Sequence, residues 1–593
     1  MTALTLLAST GGNSPDLDAL PRMFAASPHR GPLAGYDRLG RVLAGVSDGD
    51  SITRQDGLLV AVEGRIDNAN ELARGLGLSG VPDSSALVVA LWHRHGLRTP
   101  ELLRGRCAVA VTDGRTTWVW RDHLGFAPLF YGTSGGRVAV ATEAKQAAAG
   151  LGLALEPDLS VVESTLWGDY DDDTPAAVKG VRRLPKATLL TIRGTSTATS
   201  SYWQPEAILE RSRGRRAELH PAALKERFDA LMGTACERAL GGDDVLSLSG
   251  GIDSPAVAAY AAQPHLARTG RPLEAVVVVY PDHPSVDESG WARLVADDLG
   301  LKLETFEHRR AAPSGPVEHR VGALRDWVGL FDGPGPLTAI AELDDNYRDL
   351  RERGFRTVLT GEMAEFVLDL RAGAVAHLLG AGQVAAAARL LAAQRAAGIR
   401  WRWLAQQVLT TPIPPAVARR ISGSSRRTPA WVTSERAIPP GWSVAPRYRW
   451  RTNQLGAFDG PGLAMEAEDV VQAKHGITVR RPFADVDLWE FFLALPAEVK
   501  VPGPARKQLL RSLLRGRVPD AILDRKDKTV FNDAVMDSVD WPVLDHVLSR
   551  VEHRFEGINY DTLLQHIAAR DLDVPGSLWA QRLTMAHLFV EGA

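Results

Sequence analysis

Apolar and polar residues follow two different rhythms along the chain. From about residue 56 to 145 short alternating runs recur, GLLVAVEGRI, CAVAVTDG, TTWVWRD and LFYGTSGGRVAVAT, the last with Gly135-Gly136 at a turn. Period-two alternation closed by tight turns predicts antiparallel strands and hairpins, with a helix near 85–96 between them. From about residue 215 the rhythm changes. DVLSLS (244–249), EAVVVVY (274–280), LKLETF (301–306) and RTVLT (356–360) are compact apolar runs separated by helix-length stretches such as DESGWARLVADDLG. Strands alternating with helices predict a parallel, doubly wound sheet. The Pro-, Arg- and Glu-rich stretch around 204–220 marks the join. Residues 372–450 fit neither rhythm: they open Ala-rich and helical, then turn irregular, with eleven arginines against the single acid Glu435 and several interleaved tryptophans.

Composition narrows the class. A chain of 593 residues exceeds one core of ordinary size, so two or more domains are expected. Hydrophobic residues at 45% and charged residues at 23%, with no long uncharged apolar window, exclude disorder, collagen and a membrane span. The opening MTALTLLAST lacks the basic stretch of a secretory signal, so a cytoplasmic location is expected. A net charge of −3 excludes a globally basic nucleic-acid protein, and no nucleic-acid partner is expected. The two cysteines, Cys107 and Cys236, lie in apolar stretches and read as buried reduced thiols.

The string Ser249-Gly250-Gly251-Ile252-Asp253-Ser254 follows a predicted strand and precedes the helical PAVAAYAA. A strand, a Gly-rich turn and a helix N-terminus together offer backbone N–H groups and a positive dipole end to an anion. The spacing is neither GxGxxG nor GxxxxGKS. It is SGGxDS, which resembles the pyrophosphate loop of enzymes that cleave ATP between its α and β phosphates.

With its flanks, the chain resembles the asparagine synthetase family over nearly its full length. The first half carries HRGP (29–32), GRIDNANEL (64–72), RDHLGFAPLFY (121–131), TEAK (142–145) and RLPKATLL (183–190). The second carries SGGIDS, Asp287-Glu288, TGEMAEF (360–366), RRPFADVDLWEFFLALP (480–496), RKQLLR (506–511) and RKDKTVF (525–531). The resemblance implies a glutaminase-like, Ntn-hydrolase-like αββα domain over 1–205. It implies a doubly wound ATP-pyrophosphatase domain (adenine nucleotide alpha hydrolase-like) over 206–593, with an insertion at 372–450. The chain departs from glutamine-hydrolysing members, which place a cysteine after Met1 where Thr2 stands here. Their NGEIYN is Glu63-Gly64-Arg65-Ile66-Asp67-Asn68, and their second glutamine motif is Pro82-Asp83-Ser84-Ser85. The N-terminal domain is therefore expected to be catalytically dead.

Without ammonia from glutamine the nucleophile must be another amine, as in the β-lactam synthetases and lasso peptide cyclases of this family. The resemblance implies ATP and Mg²⁺, with Asp253 and Glu365 as metal ligands, although the family usually shows Asp-Glu where Glu365-Phe366 stands. It implies Leu248, Ser249, Gly250, Gly251, Ser254, Val279, Thr360, Gly361 and Lys507 around the nucleotide, and Lys528 stabilising charge on the adenylate. An attacking ammonium must lose a proton to a nearby base. Glu362 matches the acid of the family's SGEG motif. Glu466 matches the acid of the β-lactam synthetase catalytic dyad. Two neighbouring carboxylates would raise one pKa and make it a competent base. The Arg/Trp-rich segment suits a peptide or protein ligand. The combination most resembles a lasso peptide cyclase acting on a ribosomal core peptide, with a leader peptidase and a precursor-recognition protein as partners. The alternatives are a small-molecule amide or β-lactam synthetase, including an ammonia-dependent asparagine synthetase, and a non-catalytic interaction module.

Overall fold

The computed structural model describes residues 2–9, 16–167, 175–212, 220–308, 315–335, 340–368, 374–402, 404–405, 429–433, 454, 462–526, 529 and 531–592. Most of the 372–450 segment, and Lys528, lie outside these residues.

The first 201 residues build two six-stranded antiparallel sheets. One runs, edge to edge, Val181–Arg183, Phe130–Ser134, Arg137–Ala141, Leu4–Ser9, Val42–Val46 and Gly35–Leu39. The other runs Ser196–Ser201, Thr188–Arg193, Thr116–Arg121, Cys107–Thr112, Leu58–Gly64 and Ile52–Gln55. Alternation along each strand sorts side chains between two cores. Leu4, Leu6, Val42 and Ala44 face Leu59, Ala61, Ala108 and Ala110 between the sheets. Leu7, Leu43 and Ala139 pack outward on Leu20, Met23 and Ala147, and Val60, Val62 and Val109 pack outward on Leu87, Val88 and Leu91. The result is an αββα sandwich, as the resemblance implies. Leu4–Ser9, which lies outside 56–145, shows no alternation of burial. This strand pairs on both edges and is buried on both faces, which removes the polar positions that mark a half-buried strand.

The parallel sheet follows, in the order Lys302–Glu307, Glu274–Val279, Asp244–Ser247, Thr357–Leu359, Thr478–Arg480. One face packs the helices Pro221–Ala239, Asp253–Thr269 and Ser289–Leu299 through Leu246, Ala275, Val277 and Leu359. The other packs Ile340–Glu352 and Gly462–His475 through Val245, Val276, Val358 and Val479. The sheet is thus doubly wound. Its first strand, Asp244–Ser247, is central, and the chain leaves it toward opposite edges. Ligands bind such sheets outside the carboxyl ends of the strands at this switch point.

Ion pairs stitch the two halves together. Arg104 reaches Asp487 at 2.9 Å, Arg30 and Arg106 meet on Asp469, Arg183 holds Glu466, and Asp332 caps the helix Ala144–Leu151 by accepting from the Ala144 and Lys145 N–H groups at 2.5 and 3.2 Å. Both cysteines are buried and unbridged, and burial pushes the Cys236 thiol well above its ordinary range. Among the described residues no helix is long and apolar enough to cross a membrane.

Candidate active site

The strand Asp244–Ser247 ends in the loop Leu248–Ile252, and Asp253 opens the next helix. The loop is tied by its own serines. The Ser249 N–H donates to Ser254 Oγ at 2.8 Å, the two hydroxyls lie 3.0 Å apart, and the Gly251 N–H reaches Ser249 Oγ at 3.3 Å. Gly250 is covered by Glu288, which accepts its N–H at 3.0 Å. The same carboxylate takes Arg525 Nη1 at 3.0 Å and Thr529 Oγ1 at 2.6 Å, while Arg525 also donates to the Gly250 carbonyl at 2.8 Å and lies over the Trp291 ring. Glu288 therefore fastens the Gly-rich loop to Arg525 and Thr529. Glu288→Gln is expected to weaken binding of ATP–Mg²⁺ by about tenfold, since charge-assisted bonds of this kind contribute about 1.5–3 kcal/mol each. A ligand-induced thermal shift equal to that of the native chain would count against it.

A cavity of about 1010 Å³ opens over this loop. Its wall includes Ser249, Gly250, Gly251, Asp253, Glu365 and Lys507, with Arg506, Arg511, Arg525 and Lys526 adding positive charge. Lys507 pairs directly with Asp253. Glu365 opens toward the cavity, yet desolvation by its surroundings raises its carboxyl above the ordinary range, and the charges of Asp253 and Glu362 raise it further against the pull of Lys507. Asp253 and Glu365 put two carboxyl groups, the hard oxygen donors that Mg²⁺ shares with phosphates, on the wall of a basic cavity. Among the described residues no group of three or more His, Cys, Asp or Glu side chains gathers around a metal position. A magnesium ion held by one or two carboxylates and phosphates needs none.

Leu248, Ser254, Val279, Thr360 and Gly361 form no part of that cavity's wall. They are structural neighbours of it. The Leu248 N–H extends the sheet to the Val276 carbonyl at 2.8 Å, and the Val279 carbonyl accepts from the His308 N–H at 2.9 Å. Gly361 presses the loop after Thr357–Leu359 against the start of the helix Asp253–Thr269, where a Cβ would sit 2.3 Å from the Ser254 nitrogen.

Glu362, next in the chain, belongs to a second group. Arg481 Nε donates to Glu362 at 2.7 Å, the other end of its guanidinium pairs with Glu468, and Tyr347 Oη donates to Glu468 at 2.6 Å. Glu468 is buried, and burial raises its carboxyl; Arg481 and the Tyr347 hydroxyl oppose the rise and Glu362 adds to it. Burial and the Glu468 charge hold the Tyr347 phenol well above its usual range.

Glu466 is not in this group. Its two oxygens accept from Arg183 Nε and Nη2 at 2.6 and 2.8 Å, and it faces a separate cavity of about 70 Å³ between the two halves. An α-helix turns about 100° per residue, so acids two positions apart point to nearly opposite sides. Expectation placed the dyad's acid at Glu466; the geometry instead unites Glu362 with Glu468, through Arg481, and with Tyr347. The sequence signal for Tyr347 was weak, a lone tyrosine on a charged helix, and Glu468 differs from Glu466 only by its register.

The description "Asparagine synthase" belongs to the family whose model matches residues 228–588, and a glutamine amidotransferase domain model matches 41–203. Asparagine synthetase [glutamine-hydrolyzing] 2 of Bacillus subtilis is 28% identical over 261 residues, 42% of this chain and 34% of its own length. Amidase chyE of Penicillium rubens is 26% identical over 58% of this chain and 54% of its own length. The chain thus spans about a third to a half of these two relatives. A putative asparagine synthetase [glutamine-hydrolyzing] of Mycobacterium tuberculosis is 24% identical over 74% of this chain and 68% of its own. Among solved structures, the allosteric regulatory enzyme of purine biosynthesis aligns with 53% of this chain and 82% of its own, at 13% identity and a TM-score of 0.27.

Proposed function

Because the chain belongs to the asparagine synthase family, an ATP-dependent amide-forming family, we propose that it is an AMP-forming ligase that closes a macrolactam within a peptide, as a lasso peptide cyclase does. In this reading an Asp or Glu side chain of a ribosomally made core peptide attacks the α-phosphorus of ATP, giving an acyl-adenylate and releasing pyrophosphate. The peptide's own N-terminal amine then forms the C–N bond, the acyl–phosphate bond breaks, and AMP leaves. Asp253 and Glu365 would hold Mg²⁺, which when bound neutralises phosphate charge. Lys507 and the Gly-rich loop would bind the phosphates, and Lys528 retains the adenylate-stabilising role the resemblance implies. Glu468, buried and with a raised pKa beside Glu362, is assigned as the base that takes the amine's proton.

The observation that carries this reading is the link between a basic cavity and a buried acid: Glu365 on the cavity wall feels the charge of Glu362, which Arg481 joins to the Glu468 that Tyr347 holds. The cavity is at the upper end of the ordinary range for small-ligand sites, about 300–1,000 Å³, which favours a substrate beyond the nucleotide. The N-terminal half supports an amine other than glutamine ammonia. Glu63, at the first position of the altered glutamine motif, is committed to Arg106, from which it accepts at 2.8 Å. The reading implies a peptidase that frees the amine and a protein that delivers the precursor. The relatives named asparagine synthetase favour a second reading, amidation of an amino acid with free ammonia.

Mass spectrometry with AMP detection separates them. The protein with ATP–Mg²⁺ is offered leaderless peptides with an N-terminal Gly and an acid about seven to nine residues along, and separately aspartate with ammonium. A peptide lighter by one water with AMP formed in step is the expected result; AMP only with aspartate and ammonium would establish the second reading. The pH profile tests the base. Glu468 acts only when ionised, and its raised pKa moves the acid limb of the amide-forming rate above the ordinary carboxylate range. The Tyr347 hydroxyl stabilises the carboxylate, so Tyr347→Phe is expected to move that limb to higher pH still, and an unmoved limb would dissociate Glu468 from the chemistry.

A further inference from the structure

The helix Gly462–His475 carries three acids in its middle, Glu466, Glu468 and Asp469. By the helical period Glu466 and Asp469 lie one turn apart on a common side, while Glu468 is turned about 100° from Asp469 and about 160° from Glu466. The two sides are used by different parts of the chain. Arginines of the N-terminal half grip the common side. Arg183 holds Glu466 bidentately. Arg30 Nη2 donates to Asp469 Oδ2 at 2.8 Å, and Arg106 Nη2 and Nε donate to Asp469 Oδ1 at 2.6 and 3.1 Å. The Arg30 and Asp469 side chains are 1% and 2% exposed. These arginines are themselves fixed from behind, Arg30 by Glu143 and Arg106 by Glu63. The opposite side packs on Ile340–Glu352 and presents Glu468 to Tyr347 and Arg481.

A buried ion pair adds little net stability, because desolvation offsets its attraction, but removing one member leaves a charge that cannot be satisfied; its effect is to demand one geometry. We infer that the N-terminal half serves the reaction as a positioning element. Asp469, clamped by Arg30 and Arg106, sets the rotation and depth of its helix and thereby holds Glu468 in register with Tyr347 and Arg481. This gives the half that lacks the glutamine motifs a part in the chemistry without contact with the substrate. The inference rests on the reading of Glu468 as the base.

The test needs no peptide. The full chain is prepared with 3-fluorotyrosine at position 347 and followed by ¹⁹F NMR, with ATP–Mg²⁺ thermal shift as a check on the nucleotide site. Glu468→Gln is expected to displace the resonance, because it alters the acceptor of the phenol's hydrogen bond. Asp469→Asn is expected to displace the same resonance in the same direction, and Asp469→Glu to bring it back toward the native position, with the nucleotide shift retained in both. A resonance moved by Glu468→Gln but not by Asp469→Asn overturns the positioning role and leaves the base assignment standing. A resonance indifferent to Glu468→Gln removes the pair itself, and with it the reading beneath. If Asp469→Asn does not fold, Glu466→Gln on the same side replaces it. A smaller displacement in the same direction is then expected, and none would overturn the inference.

Discussion

Asp253→Asn is expected to lower ATP-dependent AMP release by about a hundredfold or more with the fold intact, the scale on which removing a single charge-stabilising group acts in a transition state. Asp253 stands at the start of the helix Asp253–Thr269, on the wall of the basic cavity and in contact with Lys507. Asparagine keeps the shape but removes the negative charge, so the substitution leaves a neutral amide where one of the two carboxylates proposed for Mg²⁺ stood and frees Lys507 from its counter-charge. The Asp253 side chain is 26% exposed, which lets solvent screen the change and keeps its cost to folding small. AMP release measured by chromatography, beside circular dichroism of both chains, decides the matter. A rate within about threefold of native would exclude Asp253 from the metal and phosphate chemistry.

Gly361→Ala is expected to abolish the ATP–Mg²⁺ thermal shift and to lower the melting temperature by several degrees. Its added Cβ would meet the Ser254 nitrogen at 2.3 Å, the Asp253 carbonyl carbon at 2.5 Å and the Ser254 Cα at 2.8 Å. All three are backbone atoms at the start of a helix, where no rotamer change makes room. Overpacking of this kind costs about 1–3 kcal/mol in a well-packed core. Here the displaced atoms carry Ser254, whose hydroxyl accepts the Ser249 N–H and shapes the anion loop. Gly251→Ala is the contrast. Its Cβ meets only Ser249 Oγ at 3.3 Å, the movable end of a short side chain, so nucleotide binding is expected to survive in weakened form. Differential scanning fluorimetry of both variants with and without ATP–Mg²⁺ reads the difference, and a native shift in Gly361→Ala would show that the two loops need not touch.

The neighbourhood of the site also explains two residues whose backbones adopt the left-handed region without being glycine, Met363 at φ +76° and Lys507 at φ +50°. One follows Glu362 and the other presents its ammonium to Asp253. Strain of this sort persists where surrounding structure fixes it, and both positions are buried.

What the sequence determined by itself was local. The run DVLSLSGGIDS dictates a strand, a turn with little side-chain bulk and a helix start, because each of these depends on residues within one or two turns of one another. Short apolar runs closed by tight turns revealed the antiparallel strands between 56 and 145, and the change of rhythm near residue 215 revealed the parallel sheet. The tertiary structure decided the rest, for reasons of distance and angle. The contact of Arg30 with Asp469 spans 439 positions, and nothing in either neighbourhood names the other. Leu4–Ser9 showed no strand rhythm because its burial comes from partners on every side. The choice between Glu466 and Glu468 depends on which side of one helix meets Arg183 and which meets Tyr347. Two residues of register reverse that answer, and only the packing of the helix against both halves of the chain fixes the register.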